Sequence, residues 1–564
     1  MKPVWKPKSS PKPEITELLQ ESIGIPPLVA HLLAQRGIES FEQARDFFNP
    51  DLNNLHDPFL MKDMDRAVHR IQNAISAGEK IMVFGDYDVD GTTSVALMYS
   101  FVQQLLPESI FYIPDRYTEG YGISKQGIDH AHTEGCGLII ALDCGIRSVE
   151  LVGYAKSKEI DFIICDHHLP GSSLPGAVAV LDPKRPDCEY PYKELSGCGV
   201  GFKLLQGLFQ ILDKEVEELF EYLDLVAVSI ASDIVPITGE NRILAFHGMK
   251  CLNETPRVPM KAVKAAIGSP ELSISNVVFF LGPRINAAGR MKHAHEAVQF
   301  LMSKDEVEAA TRLESLNKLN VSRREVDASI TESIFQELPQ MSHQFSLVFS
   351  NANWHKGVIG IVASRVVEEA YKPTVVFTEN DGLLTGSARS IQNFDIHAAF
   401  EACSEHIEQF GGHMYAAGLT IKKEKLADFK MALENYCRSK LNEDDLQPVL
   451  EYDYHAQAGE VTEKTYRIFK RMAPFGPGNP NPILRVDGLM DTGYGKLIGQ
   501  QSDHLKLNVR LGSNQILTAL GFGMGKELEK IKAGPFDACF YLEENFFRGV
   551  SSLQMHLKDI QPTD

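Results

Sequence analysis

The sequence predicts an α/β protein built on a buried parallel sheet, followed by a smaller α/β unit and a β-barrel. Three observations carry this. Between residues 80 and 182 short apolar runs alternate with helical patterns. A second such alternation starts at FSLVFS (345–350). After LNEDD (441–445) the pattern changes to short strands that alternate apolar and polar residues. Apolar runs joined by crossover helices imply a parallel sheet covered on both faces, and alternating runs in a short C-terminal stretch imply a small barrel.

The first unit's runs are IMVF (81–84), IFYI (110–113), LIIAL (138–142), FIIC (162–165) and AVAVL (177–181), with helical stretches such as TTSVALMYSFVQQLL and SVELVGYAKSKE between them. Helices are predicted at 199–212 and 215–232. The charged segment 303–337 has no glycine and no proline before its end; Val307, Leu313, Leu316, Ile330 and Ile334 recur at roughly helical spacing. It reads as a long helix bridging two domains. The second unit continues through GVIGIVASRVVEEA, TVVF, a turn at Asn380-Asp381-Gly382 and the glycine-rich FGGHMYAAG (410–418). In HLKLNVRL (504–511) Leu505, Leu507, Val509 and Leu511 share one face, and Lys506, Asn508 and Arg510 the other. SSLQMHLKDI (551–560) places Leu553, Met555 and Leu557 inward.

A chain of 564 residues is too long for one core. No apolar run is long enough to span a bilayer. The basic, proline-rich MKPVWKPKSSPKPE lacks the apolar stretch of a secretory signal and reads as a flexible lead-in. The 9 cysteines are scattered with no CxxC pair, which points to a reducing cytoplasm and away from disulfides or zinc. The net charge of −19 argues against coating nucleic acid by bulk charge. It leaves room for a local cationic groove, because charges beyond a Debye length of about 10 Å are screened.

In an open parallel sheet, ligands bind beyond the carboxyl ends of the strands. IMVF is followed by Asp86, Asp88 and Asp90, LIIAL by Asp143, and FIIC by Asp166, His167 and His168; Asp233 ends an apolar helix in SIASDIVP. A lone DxDxD is more often a solvated turn, and a lone strand-end histidine usually satisfies backbone groups. Four acidic clusters at the ends of independent elements repel one another unless cations sit between them. Oxygen ligands with one or two imidazoles suit Mn²⁺ or Mg²⁺, and enough carboxylates converge for two ions acting on a phosphoryl group.

GDYDVDGTTS, LDCG, CDHH and SDIVP, in this order and spacing, resemble the motifs of the DHH phosphoesterase superfamily, and FGGHMYAAG resembles the glycine-rich motif of its DHHA1 domain. PDRYTEGYG (114–122), GPRINAAGRM (282–291) and PFGPGNPNP (474–482) resemble the bacterial RecJ exonucleases, whose terminal barrel is an OB-fold. ENFFRG (544–549) departs from that pattern, with phenylalanines where a tryptophan is expected. The resemblance implies a lead-in (1–44), a DHH catalytic domain (45–302), a connecting helix (303–340), a DHHA1 domain (341–445) and an OB-fold nucleic-acid-binding domain (446–564).

It further implies 5′ to 3′ digestion of single-stranded DNA in recombination and repair, using Mn²⁺ or Mg²⁺. The implied metal ligands are Asp86, Asp88, Asp90, Asp143, His167 and Asp233, with Asp143 bridging two ions. His168 orients or polarises the site, and Asp166 holds a histidine in place. Arg116, Arg284, Arg290 and Arg389 can fork onto phosphate, joined by Ser387 and by His413, which is grouped with both the catalytic and the substrate-binding residues. Tyr121 can stack on a base, and Lys506 and Arg510 can track a strand across the barrel. The expected protein is a cytoplasmic monomer, off the membrane, with a single-strand-binding protein or a repair helicase as partner. The rival readings are a phosphodiesterase of short oligonucleotides or cyclic dinucleotides and a non-catalytic DNA-binding scaffold. The barrel and long helix favour a polymer substrate over the first, and intact carboxylates at every cluster argue against the second.

Overall fold

Five parallel strands form the first sheet in the order Ile110–Tyr112, Ile81–Gly85, Leu138–Leu142, Asp161–Cys165, Ala179–Leu181. The computed structural model describes residues 2–563 apart from residues 255, 381, 513, 514, 533, 548 and 549. Chain order reverses around Ile81–Gly85, whose neighbours are the second and third strands in sequence. That is a topological switch point, where a crevice opens at the strand ends. The three central strands are buried along almost their whole length, and separate hydrophobic clusters cover the two faces, as continuous apolar runs require.

The helix predicted at 199–212 spans Gly197–Ile211. The one predicted at 215–232 divides into a 3₁₀ segment, Val216–Tyr222, and the α-helix Leu223–Ser232. The connecting helix runs Glu306–Glu337, capped by Asp305, whose side chain accepts from Glu308 N. Leu313 and Leu316 join the first unit's core, while Ile330 and Ile334 join the second's. Val307, by contrast, is 75% exposed: it lies on the helix face opposite the buried stripe of Ala309, Leu313 and Leu316.

The second sheet is mixed, in the order Gln409–His413, Ala416–Lys422, Leu383–Arg389, Thr374–Asn380, Leu347–Ser350, with only the last pair parallel. Of the predicted turn at 380–382, Asp381 lies outside the described residues. The C-terminal strands Leu484–Asp491, Phe536–Phe547, Val550–Pro562, Gln515–Gly521 and His504–Leu511 pair in that cyclic order, and the first pairs with the last. They form a closed five-stranded barrel. Met555 and Leu557 point inward as expected, while Leu553 is only half-buried. The phenylalanine side chains of ENFFRG, with Arg548 and Gly549, fall outside what is described.

The proline-rich start, expected as a flexible lead-in, is instead packed on the C-terminal unit, as are the helices that follow it. Val4–Pro7 pairs in parallel with Val449–Tyr452, and the helices Pro13–Ile23, Pro27–Gln35 and Phe41–Phe48 share a hydrophobic cluster with the barrel. Leu19, Leu28, Val29, Leu32 and Leu33 are fully buried there. At about 1.5–3 kcal/mol per large apolar side chain, this packing outweighs the disordering tendency of the basic, proline-rich start. Among the described residues no helix is long and apolar enough to cross a membrane.

Candidate metal centre and phosphate cleft

The carboxylates of the first, third and fourth strands in sequence converge on the switch-point crevice. Asp86 follows Ile81–Gly85 directly and is 1% exposed. Asp88 caps the helix Val89–Leu105, accepting from Gly91 N at 3.0 Å. Asp90, one residue into that helix, accepts from Gly197 N at 2.6 Å, Cys198 N at 2.8 Å and Ser229 Oγ at 2.7 Å. The first two donors belong to the N-terminus of Gly197–Ile211, whose dipole favours an anion. Asp143 follows Leu138–Leu142 with φ 58°, a left-handed conformation aspartate adopts more readily than most residues. A Cβ on Gly197 would lie 2.7 Å from Asp143 Cβ, so only glycine lets the helix approach this closely.

His167 Nε2 sits among them, 3.1 Å from Asp143 Oδ1, 3.5 Å from Asp233 Oδ2 and 3.7 Å from Asp90 Oδ2. Among the described residues two sets of donor atoms cluster tightly enough to hold a metal ion, Asp90–His167–Asp233 and Asp143–His167–His168. Asp86 Oδ1 and Oδ2, Asp143 Oδ1, Asp233 Oδ2 and both His167 ring nitrogens are buried without a hydrogen bond among the described residues. Burial first, and neighbouring carboxylates second, push Asp86, Asp143 and Asp233 well above the usual carboxylate range. Burial lowers His167, leaving a neutral imidazole free to ligate. Orphaned buried oxygens and a neutral imidazole fit hard divalent cations.

Asp166 belongs to a different part of the site. It accepts from Ile146 N at 2.9 Å and His167 N at 2.8 Å, and lies 2.7 Å from His168 Nδ1. Burial opposes its charge, yet the His168 bond, both histidine charges and the backbone donor hold it down at about 2. His168 is reciprocally raised: burial lowers it, and the Asp166 bond and charge outweigh that. Its Nε2 lies 3.2 Å from Tyr121 OH. Tyr121 also reaches Asp143 O at 3.4 Å, and it is 56% exposed, over the site mouth.

Arginines gather on the far side of the cleft. Arg290 donates to Gly357 O at 3.2 Å. Burial, then the charges of Arg116, Arg323 and Arg389, lower it to about 10. Arg389 holds Ser387 Oγ at 3.2 Å, and Arg116 lies over the Tyr87 ring at 4.8 Å. A cleft of about 210 Å³, lined by Ser232, Asn286, Arg290, Arg323 and Ile361 among others, joins this cluster to the Asp233 side. His413 pairs with Ala416, which pairs with Arg389, so the two are two strand spacings (about 10 Å) apart. The structure does not bring Arg284 to the cluster. Its guanidinium donates to Phe280 O and Asn317 Oδ1 and stacks on the Phe280 ring at 3.4 Å. Lys506 and Arg510 share the barrel's outer face, far along the chain from this centre.

Residues the sequence reading passed over complete the site. Ser229 and Gly197 hold Asp90 from apolar helices, where no local pattern marks them. Arg323 comes from the connecting helix, where RRE looks like a solvated face. Asp182 had a signal: it follows AVAVL as Asp143 follows LIIAL, and it is fully buried beside Asp166.

Comparison with known proteins agrees with this geometry. Residues 80–230 match the DHH family N-terminal domain, 343–439 the DHHA1 domain and 452–559 the RecJ OB domain. The chain is 38% identical over 529 residues to the single-stranded-DNA-specific exonuclease RecJ of Bacillus subtilis, covering 93% of this chain and 66% of that protein. The crystal structure of Thermus thermophilus RecJ in complex with Mn²⁺ matches with a TM-score of 0.83 at 25% identity, over 100% of this chain and 80% of that one. The protein of the same name from Escherichia coli is 31% identical over 574 residues, 97% of this chain and 98% of its own length, and the chain accordingly belongs to the RecJ family of single-stranded-DNA-specific exonucleases.

Proposed function

We propose that the chain hydrolyses single-stranded DNA from the 5′ end with two divalent ions, Mn²⁺ or Mg²⁺, in recombination and repair. The observation that carries this is the set of buried, unpartnered carboxylate oxygens around His167 at the sheet's switch point. Asp86, Asp88, Asp90, Asp143, His167 and Asp233 would hold the ions, with Asp143 shared between them. When bound, such ions polarise the scissile phosphate and lower the pKa of an attacking water. Asp166 favours the charged form of His168, whose Nε2–H, beside Tyr121 OH at the site mouth, would turn to the reacting phosphate. Arg116, Arg290, Arg323 and Arg389 receive phosphate across the cleft, with Ser387 and His413 beside them on the same sheet. Tyr121 is placed to stack on a base, and Lys506 and Arg510 to track the strand over the barrel. The 5′ to 3′ direction, the cytoplasmic location, the monomeric state and a single-strand-binding protein or repair helicase as partner are supported by the family resemblance.

The test is digestion of strands labelled at either end. Mononucleotide should leave first from a 5′ label, activity should vanish with chelator and return with Mn²⁺ or Mg²⁺, and Asp143→Ala should be inactive yet folded. Turnover surviving exhaustive chelation would sink the metal reading, and first release from a 3′ label would reverse the polarity.

A further inference from the structure

The segment after Asp233 is built against its own conformational preference. Asp233 closes the helix Leu223–Ser232, its N–H donating to Ser229 O at 3.0 Å. Ile234 then turns the chain with φ 62°. A β-branched residue is disfavoured in that region because its side chain crowds the backbone, and Ile234 gains nothing from burial, being 77% exposed. Such a turn persists only where its surroundings over-determine it. The following residues are clamped in succession. Val235 and Ile237 are buried, and Pro236 O accepts from Tyr192 OH at 3.1 Å and Asn241 Nδ2 at 3.0 Å. Ile237 N donates to Pro477 O at 2.7 Å. That last clamp comes from the barrel unit.

Pro477 lies in PFGPGNPNP, and the turn is shaped for this contact. A Cβ on Gly476 would lie 2.6 Å from Ile237 Cδ1, and one on Gly478 would lie 2.9 Å from Thr238 Cγ2 and 3.3 Å from Pro236 Cβ. Gly476 and Asn479 exchange backbone hydrogen bonds of 3.0 Å. Asn479 Nδ2 donates to Met472 O and Pro474 O, and Asn479 Oδ1 accepts from Arg36 at 2.8 Å. From the catalytic side, Arg242 donates to Met472 O at 3.0 Å and Ala473 O at 3.2 Å. The turn is rigid and gripped from both units.

We infer that Gly476–Asn479 is a positioning element for Asp233. By fixing Ile234–Thr238 against their strained start, it keeps the buried Asp233 Oδ2 aimed at the His167 side of the centre. The barrel is then part of the metal site as well as a surface for the strand. This inference rests on the reading of Asp233 as a metal ligand.

The experiment is direct Mn²⁺ titration of the full DNA-free chain, with free Mn²⁺ read by electron paramagnetic resonance, alongside strand affinity measured in chelator. Gly478→Ala should weaken one Mn²⁺ by about tenfold or more, the range seen when a ligand's support is removed, and leave strand affinity in chelator at the wild-type value. Gly488→Ala is the control: Gly488 has φ +68° and open space around its Cβ, so it adds comparable strain to the barrel without touching Ile234–Thr238. It should bind Mn²⁺ as wild type does. If Gly478→Ala does not fold, Gly476→Ala carries the test, since its new Cβ chiefly meets the mobile end of Ile237; it should weaken the same ion less. Asp233→Ala should lose that ion. Wild-type Mn²⁺ binding in the glycine variants with loss in Asp233→Ala overturns the positioning role alone. Equal loss in Gly478→Ala and Gly488→Ala overturns it by tracing the effect to a weakened barrel. Wild-type binding by Asp233→Ala overturns the metal reading beneath it.

Discussion

Two neighbouring carboxylates show how differently burial acts on a single residue. Asp166 has donors on its oxygens and stays ionised. Among the described residues Asp182 has one, Lys184 N at 2.7 Å, and its Oδ2 is buried without a partner. Burial, together with the charge of Asp166, raises Asp182 from 3.8 to about 7. The sign follows from proton linkage: between those values the folded state binds the proton more tightly than the unfolded chain, so stability falls as pH rises from about 4 to about 7 and is flat above. Asp182→Asn keeps an acceptor for Lys184 N and removes the charge. At about 1.4 kcal/mol per pKa unit, it should stabilise the protein by about 2–4 kcal/mol at pH 8, raising the Tm by several degrees, and the advantage should vanish near pH 4. Thermal melts of both proteins across that range check it. An advantage that does not vary with pH would mean that Asp182 is held ionised, Lys184 being the nearest cation in sequence.

At the scale of elements, the phosphate cleft depends on how strands and helices are set against one another. Arg389 ends the strand Leu383–Arg389 with its guanidinium between Ser387 and the start of the helix Ile359–Ala370, where a Cβ on Gly360 would come within 3.1 Å of it. It makes no contact with the carboxylate cluster among the described residues. Arg389→Ala should therefore raise the KM for a single strand while Mn²⁺ binding stays at the wild-type value, and metal analysis of the purified variant beside steady-state kinetics separates the two. Lost metal with unchanged KM would place Arg389 in the metal centre instead. The sheet and the carboxylates at its strand ends were legible in the sequence because both leave local marks, a continuous apolar run and a charge at its end. The supports were not. Ser229 looks like an ordinary member of an apolar helix, and Arg323 like a surface charge, until the fold sets them beside Asp90 and Arg290. Arg284 misled for the complementary reason: its glycine-rich setting suggested phosphate, whereas Phe280 and Asn317 occupy it.

The whole molecule is less modular than its chain order suggests. The sequence divides cleanly after Asp445, but the N-terminal helices that precede the catalytic unit pack against the helix Glu463–Met472 and share a hydrophobic cluster with the barrel, and Trp5 donates to Asp559 at 2.8 Å across that join. Proline-rich composition concealed this, since what orders these residues is a partner surface more than 400 positions away along the chain. A consequence is that truncations should not behave as domain boundaries imply. A chain of residues 1–442 keeps Leu19, Leu28, Val29, Leu32 and Leu33 and removes what covers them, exposing an apolar patch of the kind that drives aggregation. Residues 49–442 remove both sides of the join. The shorter chain should be soluble and monodisperse by light scattering, and the longer one should aggregate. The shorter chain should still cleave very short oligonucleotides when Mn²⁺ is raised, since every carboxylate of the centre lies within it and what it loses there is the support of Ile234–Thr238 and Arg242 by the 472–479 segment. Its grip on long strands should weaken and depend less steeply on salt, the logarithmic slope falling by about 0.7 for each phosphate that is no longer neutralised. Lys506→Ala with Arg510→Ala in the full chain removes two of the neutralising charges, so its slope should lie between wild type and 49–442. Equal slopes in all three would remove the barrel's cationic face from the strand's path and leave the barrel to protein partners and to the support of Asp233.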